Sequence, residues 1–187
     1  MAQDITGKRV LIMATDGFEE SELTEPMKQL EKAGATVEIA SLKTGKIRGW
    51  DKTDWGKAVN AGLAIDDVKV DEWDALVLPG GQINPDLLRV EKSAVDLVRN
   101  FAAANKTVAA ICHAPWTLIE ADVLEGRTLT SWPSLKTDIT NAGGSWVDER
   151  NVVDGNLITS RNPDDIPAFN SALVDALEHG SAGDAAE

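Results

Sequence analysis

Short unbroken apolar runs alternate along this chain with stretches in which apolar residues return every three or four positions. The first run, Val10-Leu11-Ile12-Met13-Ala14, closes at Thr15-Asp16-Gly17 and predicts a buried strand ending in a loop. Leu23, Met27 and Leu30 follow at helical spacing, with Ala33 beyond and Gly34 as the stop. Thr36 to Ser41 is rich in β-branched residues and predicts a second strand. Strand, helix, strand within the first 41 residues is the βαβ unit of a parallel sheet with helices on its faces. Ala75-Leu76-Val77-Leu78, running into Pro79-Gly80-Gly81, and Thr107 to Ile111 repeat the strand pattern, with helical spacing at Val95, Val98 and Phe101 between them.

Two segments depart from this rhythm. Thr44 to Gly62 carries four glycines, with Trp50 and Trp55 among charges. It reads as an excursion from the sheet, either a surface loop held by two aromatic anchors or a lid or subunit contact. Val152 to Thr159, with Asp154-Gly155 in the middle, predicts a hairpin. Asn162-Pro163-Asp164-Asp165 then has the order of a helix start, and Ile166, Phe169, Leu173 and Leu177 line one face of that helix. Residues 180–187 have too little apolar content to pack and are expected to fray. No linker divides the chain, so one domain over 1–187 is expected, with its core at about 8–178.

Charge removes some functions. The formal net charge is −13, against the clustered basic surface that nucleic-acid binding needs. The apolar runs are too short to cross a membrane. One cysteine closes no internal disulfide and no signal segment opens the chain, so a cytoplasmic, reducing location is expected.

That cysteine, Cys112, directly follows the strand at Thr107 to Ile111 and precedes His113-Ala114-Pro115-Trp116, where Pro115 suits the first turn of a helix. Free backbone N–H groups at such a turn are expected to lower the thiol pKa and to hold negative charge on a substrate oxygen. A lone cysteine is often only a small buried hydrophobe. Here its place at a strand end, the adjacent histidine and two other polar strand ends favour a nucleophile. Gly80 and Gly81 let backbone approach closely and offer half of an oxyanion hole, with the amide of Cys112 or His113 as the other half. Glu19 and Glu20 begin the first helix. The acids Glu20, Glu22 and Glu25 either compensate its dipole or include one that reaches the thiol, where a buried carboxyl would stay protonated and shuttle protons. His113 is either a general base or a loop residue shaping the site, and Asp86 is the acid best placed to orient its ring. No metal-ligand spacing and no phosphate-cradling glycine pattern occurs, so neither a metal nor a cofactor is expected.

Taken together, Asp16-Gly17-Phe18-Glu19-Glu20-Ser21-Glu22, Leu78-Pro79-Gly80-Gly81 and Ala110-Ile111-Cys112-His113-Ala114-Pro115 resemble the PfpI/ThiJ superfamily, which shares its architecture with class I glutamine amidotransferases. The resemblance is closest to the PfpI-like peptidases and general stress proteins, and runs from about Lys8 to Leu177. It implies a flavodoxin-like three-layer α/β/α sandwich, a mainly parallel sheet and a strained nucleophile elbow at Cys112. It assigns the acid hydrogen-bonded to the thiol to Glu19, the glycine-rich strand end to Gly80 and Gly81, and the adjacent histidine to His113. Homodimers, some assembled into hexamers, are implied as well. In peptidase-like members a glutamate beyond the glycine pair comes from a neighbouring subunit, and Asp86 occupies that region here. Ala114 stands where the family has glycine, and Trp116 is expected to wall the mouth of the site. The implied function is cofactor-independent hydrolase, deglycase or glyoxalase chemistry on small carbonyl compounds or glycation adducts in stress protection. Redox sensing with little turnover and intracellular peptidase activity are the alternatives.

Overall fold

The computed structural model describes residues 4–180; the tail at 181–187 and residues 1–3 lie outside the described residues. From the amino end run β1 (Arg9–Met13), β2 (Phe18–Glu19), α1 (Glu20–Lys32), β3 (Thr36–Ser41), β4 (Gly45–Asp51), β5 (Asp54–Ala61) and β6 (Leu63–Ala64). Then come β7 (Ala75–Leu78), α2 (Ile83–Leu88), α3 (Lys92–Ala103), β8 (Thr107–Ile111), α4 (Pro115–Glu120) and β9 (Thr128–Leu129). The remainder is α5 (Lys136–Asn141), β10 (Ser145–Trp146), β11 (Asn151–Asp154), β12 (Leu157–Ser160) and α6 (Ile166–His179).

The main sheet has the order β11-β12-β8-β7-β1-β3-β6, and only β11 runs antiparallel to its neighbour. Successive residues of a strand point to opposite faces, and here both faces are covered. From β1, Val10 and Ile12 pack with Leu23 and Leu30 of α1 and Phe169 and Leu173 of α6. Leu11 and Met13 pack on the other side with Leu97 and Phe101 of α3 and Leu118 of α4. Burial on both faces is why these strands read as unbroken apolar runs, and it produces the three-layer α/β/α arrangement expected. Among the described residues no helix is long and apolar enough to cross a membrane.

The excursion at 44–62 is a hairpin rather than a loop. β4 and β5 pair antiparallel around a turn at Lys52, whose φ is 58°, and β4 continues onto β2. Trp50 opposes Trp55 across the pair, their ring centroids 5.6 Å apart and nearly perpendicular. Such cross-strand aromatic pairs stabilise a ribbon that lacks a core of its own. Interspersed glycines hid the alternation, in which Ile47 is buried between exposed Lys46 and Arg48. The second hairpin follows the sequence, with Gly155 at φ 55° in its turn. Ahead of α6, the Asn162 side chain accepts the Asp164 N–H at 3.0 Å as a cap, with Pro163 next in line.

Candidate active site

Strand order reverses beside β1, because β3 lies on one side of it and β7 on the other. Ligands bind in open parallel sheets at the carboxyl ends of strands around such a reversal. The ends of β1, β7 and β8 supply Gly17, Gly81, Cys112 and His113 to one open cleft. Glu19, Trp50 and Lys52 close it on the hairpin side, and Trp132 on the other.

Cys112 extends β8 by one hydrogen bond, its N–H donating to Ser160 O at 3.0 Å, and then turns sharply. Its φ of 64° is a left-handed conformation that costs a non-glycine residue energy and persists only where surroundings enforce it. Here the Cys112 carbonyl accepts the Trp132 N–H at 2.9 Å, and α4 starts at Pro115. The result is an elbow that holds Cys112, a residue only 6% exposed, in the lining of the cleft.

The carboxyl against this sulfur belongs to Glu22, and the assignment of Glu19 to that contact is corrected. Glu19 lies in β2 at the amino boundary of α1, and its half-buried side chain lines the cleft. Glu22 is in the first turn of α1 on the row Glu22, Pro26, Leu30, which is buried throughout. That i, i+4, i+8 spacing was the available signal, since a carboxylate in phase with core residues needs a buried partner. Its Oε2 accepts the Gly80 N–H at 2.8 Å, while Oε1 has no nitrogen or oxygen partner.

The same bond corrects the expected oxyanion hole. The Gly80 amide is committed to Glu22, so Gly81 and His113 are the amides left near the sulfur. Gly80 instead permits close approach. A Cβ there would lie 2.6 Å from Cys112 Cβ, 2.6 Å from Glu22 Oε2 and 2.7 Å from Ile111 O. Gly80→Ala is therefore expected to lose about 1–3 kcal/mol of stability, read by urea denaturation, because strand backbone yields little.

His113 is 4% exposed and places Nδ1 3.1 Å from Cys112 Sγ. Its ring stacks on Trp132, centroids 5.7 Å apart at 22°, and meets Trp116 edge-on at 5.1 Å. Trp132, rather than the expected Trp116, therefore walls the cleft; the Trp116 Nε1–H donates to Asp138 outside it. The His113 Nε2 is buried without a hydrogen-bond partner, and Asp86, exposed on α2, does not reach it within one chain.

Electrostatics follow from burial. Burial raises the Glu22 carboxyl to about 8 and lowers His113 to about 4. At neutral pH the acid is protonated and the imidazole uncharged. Burial, then the facing Glu22, push the Cys112 thiol well above its usual value against the pull of the Gly81 and His113 amides, contrary to the lowered pKa expected. The two groups are coupled, and ionisation of Glu22 makes a thiolate still more costly.

Stability should record this. Raised Glu22 contributes stability that is complete below 4.5 and lost by about pH 8, whereas lowered His113 contributes stability present above 6.5 and lost toward about pH 4. The slopes oppose one another below 6.5, so a net loss of about 2 kcal/mol is expected between pH 6.5 and 8. Thermal melts across that range should show a falling Tm, and Glu22→Gln should flatten it. Among the described residues no group of three or more His, Cys, Asp or Glu is arranged to hold a metal ion.

Comparison with known proteins places this geometry. The DJ-1/PfpI family signature matches residues 8–176. A deglycase of Thermococcus kodakarensis is 43% identical over 169 residues, covering 90% of this chain and 99% of its own. A putative cysteine protease of Bacillus subtilis is 39% identical over 172 residues, covering 91% and 99%. In a crystal structure from Anabaena variabilis, of a two-domain protein with DJ-1/ThiJ/PfpI-like and ferritin-like domains, the match has a TM-score of 0.87 at 35% identity. It covers 96% of this chain and 50% of that one. Signature, relatives and sheet order agree, and the chain belongs to the DJ-1/PfpI family.

Proposed function

We propose that the protein is a cysteine-dependent, cofactor-independent stress-protection enzyme acting on small carbonyl compounds or their glycation adducts. One observation carries this reading: a buried thiol on an elbow, with a protonated carboxyl on one side and a neutral imidazole nitrogen at 3.1 Å on the other. Such a trio moves protons both ways without a metal or cofactor. The similarity to a deglycase supports the substrate class.

In the proposed reaction Cys112 Sγ adds to an aldehyde carbon as His113 Nδ1 takes the thiol proton. The new oxyanion lies toward the Gly81 and His113 amides and takes the proton back from His113 to give a hemithioacetal. For an amine adduct of a dicarbonyl the C–S bond forms as the C–N bond breaks, the amine leaves with the proton that His113 took from the thiol, and Cys112 is left carrying the same hemithioacetal. For a dicarbonyl, Glu22 and His113 move the hemithioacetal C–H proton to the adjacent carbon through an enediol. The resulting thioester is hydrolysed by water, so methylglyoxal plus water gives lactate. The purified protein should release lactate from methylglyoxal, or free amine from its adducts, above a buffer blank. Rates equal to the blank on both would sink the reading.

The orphaned His113 Nε2 favours a second reading, a peptidase completed by a second copy of the chain in a homodimer or hexamer. Asp86 stands exposed on α2 beside exposed Leu87, where a neighbouring subunit could dock and carry its own Asp86 to the site. Light-scattering mass together with casein hydrolysis checks it. A monomer without cleavage removes it.

A further inference from the structure

Asn84, in α2, is completely buried, and its side-chain amide is committed to backbone at two strand ends. Its Oδ1 accepts the Thr15 N–H at 2.8 Å just beyond β1. Its Nδ2 donates to Pro79 O at 2.9 Å and to Gly80 O at 3.2 Å just beyond β7. An N–H on one side and two carbonyls on the other fix which end of the amide is oxygen. The reaction proposed for Cys112 does not use this residue, yet two of its three bonds fall on the peptide units beside that sulfur.

Those two units are held at both ends. In the unit joining Pro79 to Gly80, the carbonyl accepts from Asn84 and the N–H donates to Glu22 Oε2 at 2.8 Å. In the unit joining Gly80 to Gly81, the carbonyl accepts from Asn84 and from the Glu19 N–H at 3.3 Å, while the N–H bonds to the Cys112 sulfur. A trans peptide unit is planar, with its C=O and N–H on opposite sides, so holding the oxygen aims the hydrogen. Gly80 and Gly81 have no side chains to restrain them, and the restraint therefore comes from outside the strand.

The geometry points to Asn84 as a positioning residue of this site, which aims the Gly80 N–H at the Glu22 carboxyl and the Gly81 N–H at the sulfur and the oxygen that forms on the substrate. It touches none of the reacting atoms. Through Thr15 the same amide ties the end of β1, which carries Gly17 into the cleft, to the end of β7. The assignment rests on the carbonyl reading of Cys112 for the reaction it serves, whereas the aim of the two amides rests on hydrogen bonds alone.

Two variants separate positioning from packing. Asn84→Ala removes all three bonds. Asn84→Asp keeps the shape and the acceptor for Thr15 but loses at least one donor bond, and it decides the matter where the alanine variant does not fold. Iodoacetamide alkylation of Cys112, the single thiol of the chain, is followed by mass spectrometry on the whole protein at neutral pH. The Gly81 amide draws the thiol pKa down, so an amide that has turned away leaves less thiolate. Alkylation should slow about threefold in Asn84→Asp and about tenfold in Asn84→Ala. Replacing a residue that only packs the site would instead loosen the cleft and speed alkylation. In methylglyoxal turnover kcat should fall about 10–100-fold in Asn84→Ala with KM within about twofold, because the amides act on developing charge. Alkylation unchanged or faster in both variants, or a loss carried by KM alone, would overturn the assignment. Slowed alkylation in variants of a protein that turns over no carbonyl compound rejects the carbonyl reading alone, whereas parent turnover with alkylation unchanged in the variants rejects the role of Asn84 alone.

Discussion

Cys112→Ala is expected to reduce lactate or amine release to the uncatalysed rate, a loss on the order of 10⁴-fold or more. Cys112 is the only cysteine in the chain, and no other nucleophile shares its position between Glu22 and His113. The fold should survive. Alanine retains the Cβ that fits the elbow, and what is removed is one buried sulfur together with its contacts to the Gly81 and His113 amides and to Glu22. The variant also separates catalysis from electrostatics. Burial comes first among the causes that raise Glu22, so the loss of Tm between pH 6.5 and 8 should persist without the thiol. A variant that keeps its turnover would place the chemistry on another group and end the reading of Cys112 as nucleophile.

Glu22→Gln is expected to lower kcat by about 10²–10⁴-fold, the usual worth of a positioned general acid or base. Glutamine can still accept the Gly80 N–H and donate to sulfur, so the elbow keeps its shape while the transferable proton is gone. The pH profile tells this apart from a packing defect. In the parent protein activity should fall as His113 gains its proton toward about pH 4 and as Glu22 loses its own toward about pH 8. The variant should lose the alkaline limb and keep the acid one. Retention of both limbs would mean that some other group titrates near 8 and that Glu22 only positions the thiol.

Most of the fold was legible in the chain because its physics is local. Val10 to Ala14, Ala75 to Leu78 and Thr107 to Ile111 are apolar without interruption, and only a sheet covered on both faces makes such runs stable. Asp154-Gly155 and Asn162-Pro163 likewise act within a few residues, through a left-handed turn and a helix cap. The β4–β5 hairpin was not legible, because its stability comes from Trp50 meeting Trp55 across the ribbon and from pairing with β2.

The site divides the same way. Sequence by itself determined that the thiol ends a strand and precedes a helix, that His113 adjoins it and that glycines lie at a neighbouring strand end. These are properties of contiguous residues. Which acid meets the sulfur was decided only by the tertiary structure, since Glu19 and Glu22 differ by three positions and α1 rotates one toward the cleft mouth and the other into the core. The same packing removed the Gly80 amide from the oxyanion site and set Trp132 in place of Trp116. It also reversed the expected shift of the thiol, because a pKa depends on burial and on charges brought from distant segments, neither of which is a property of neighbouring letters.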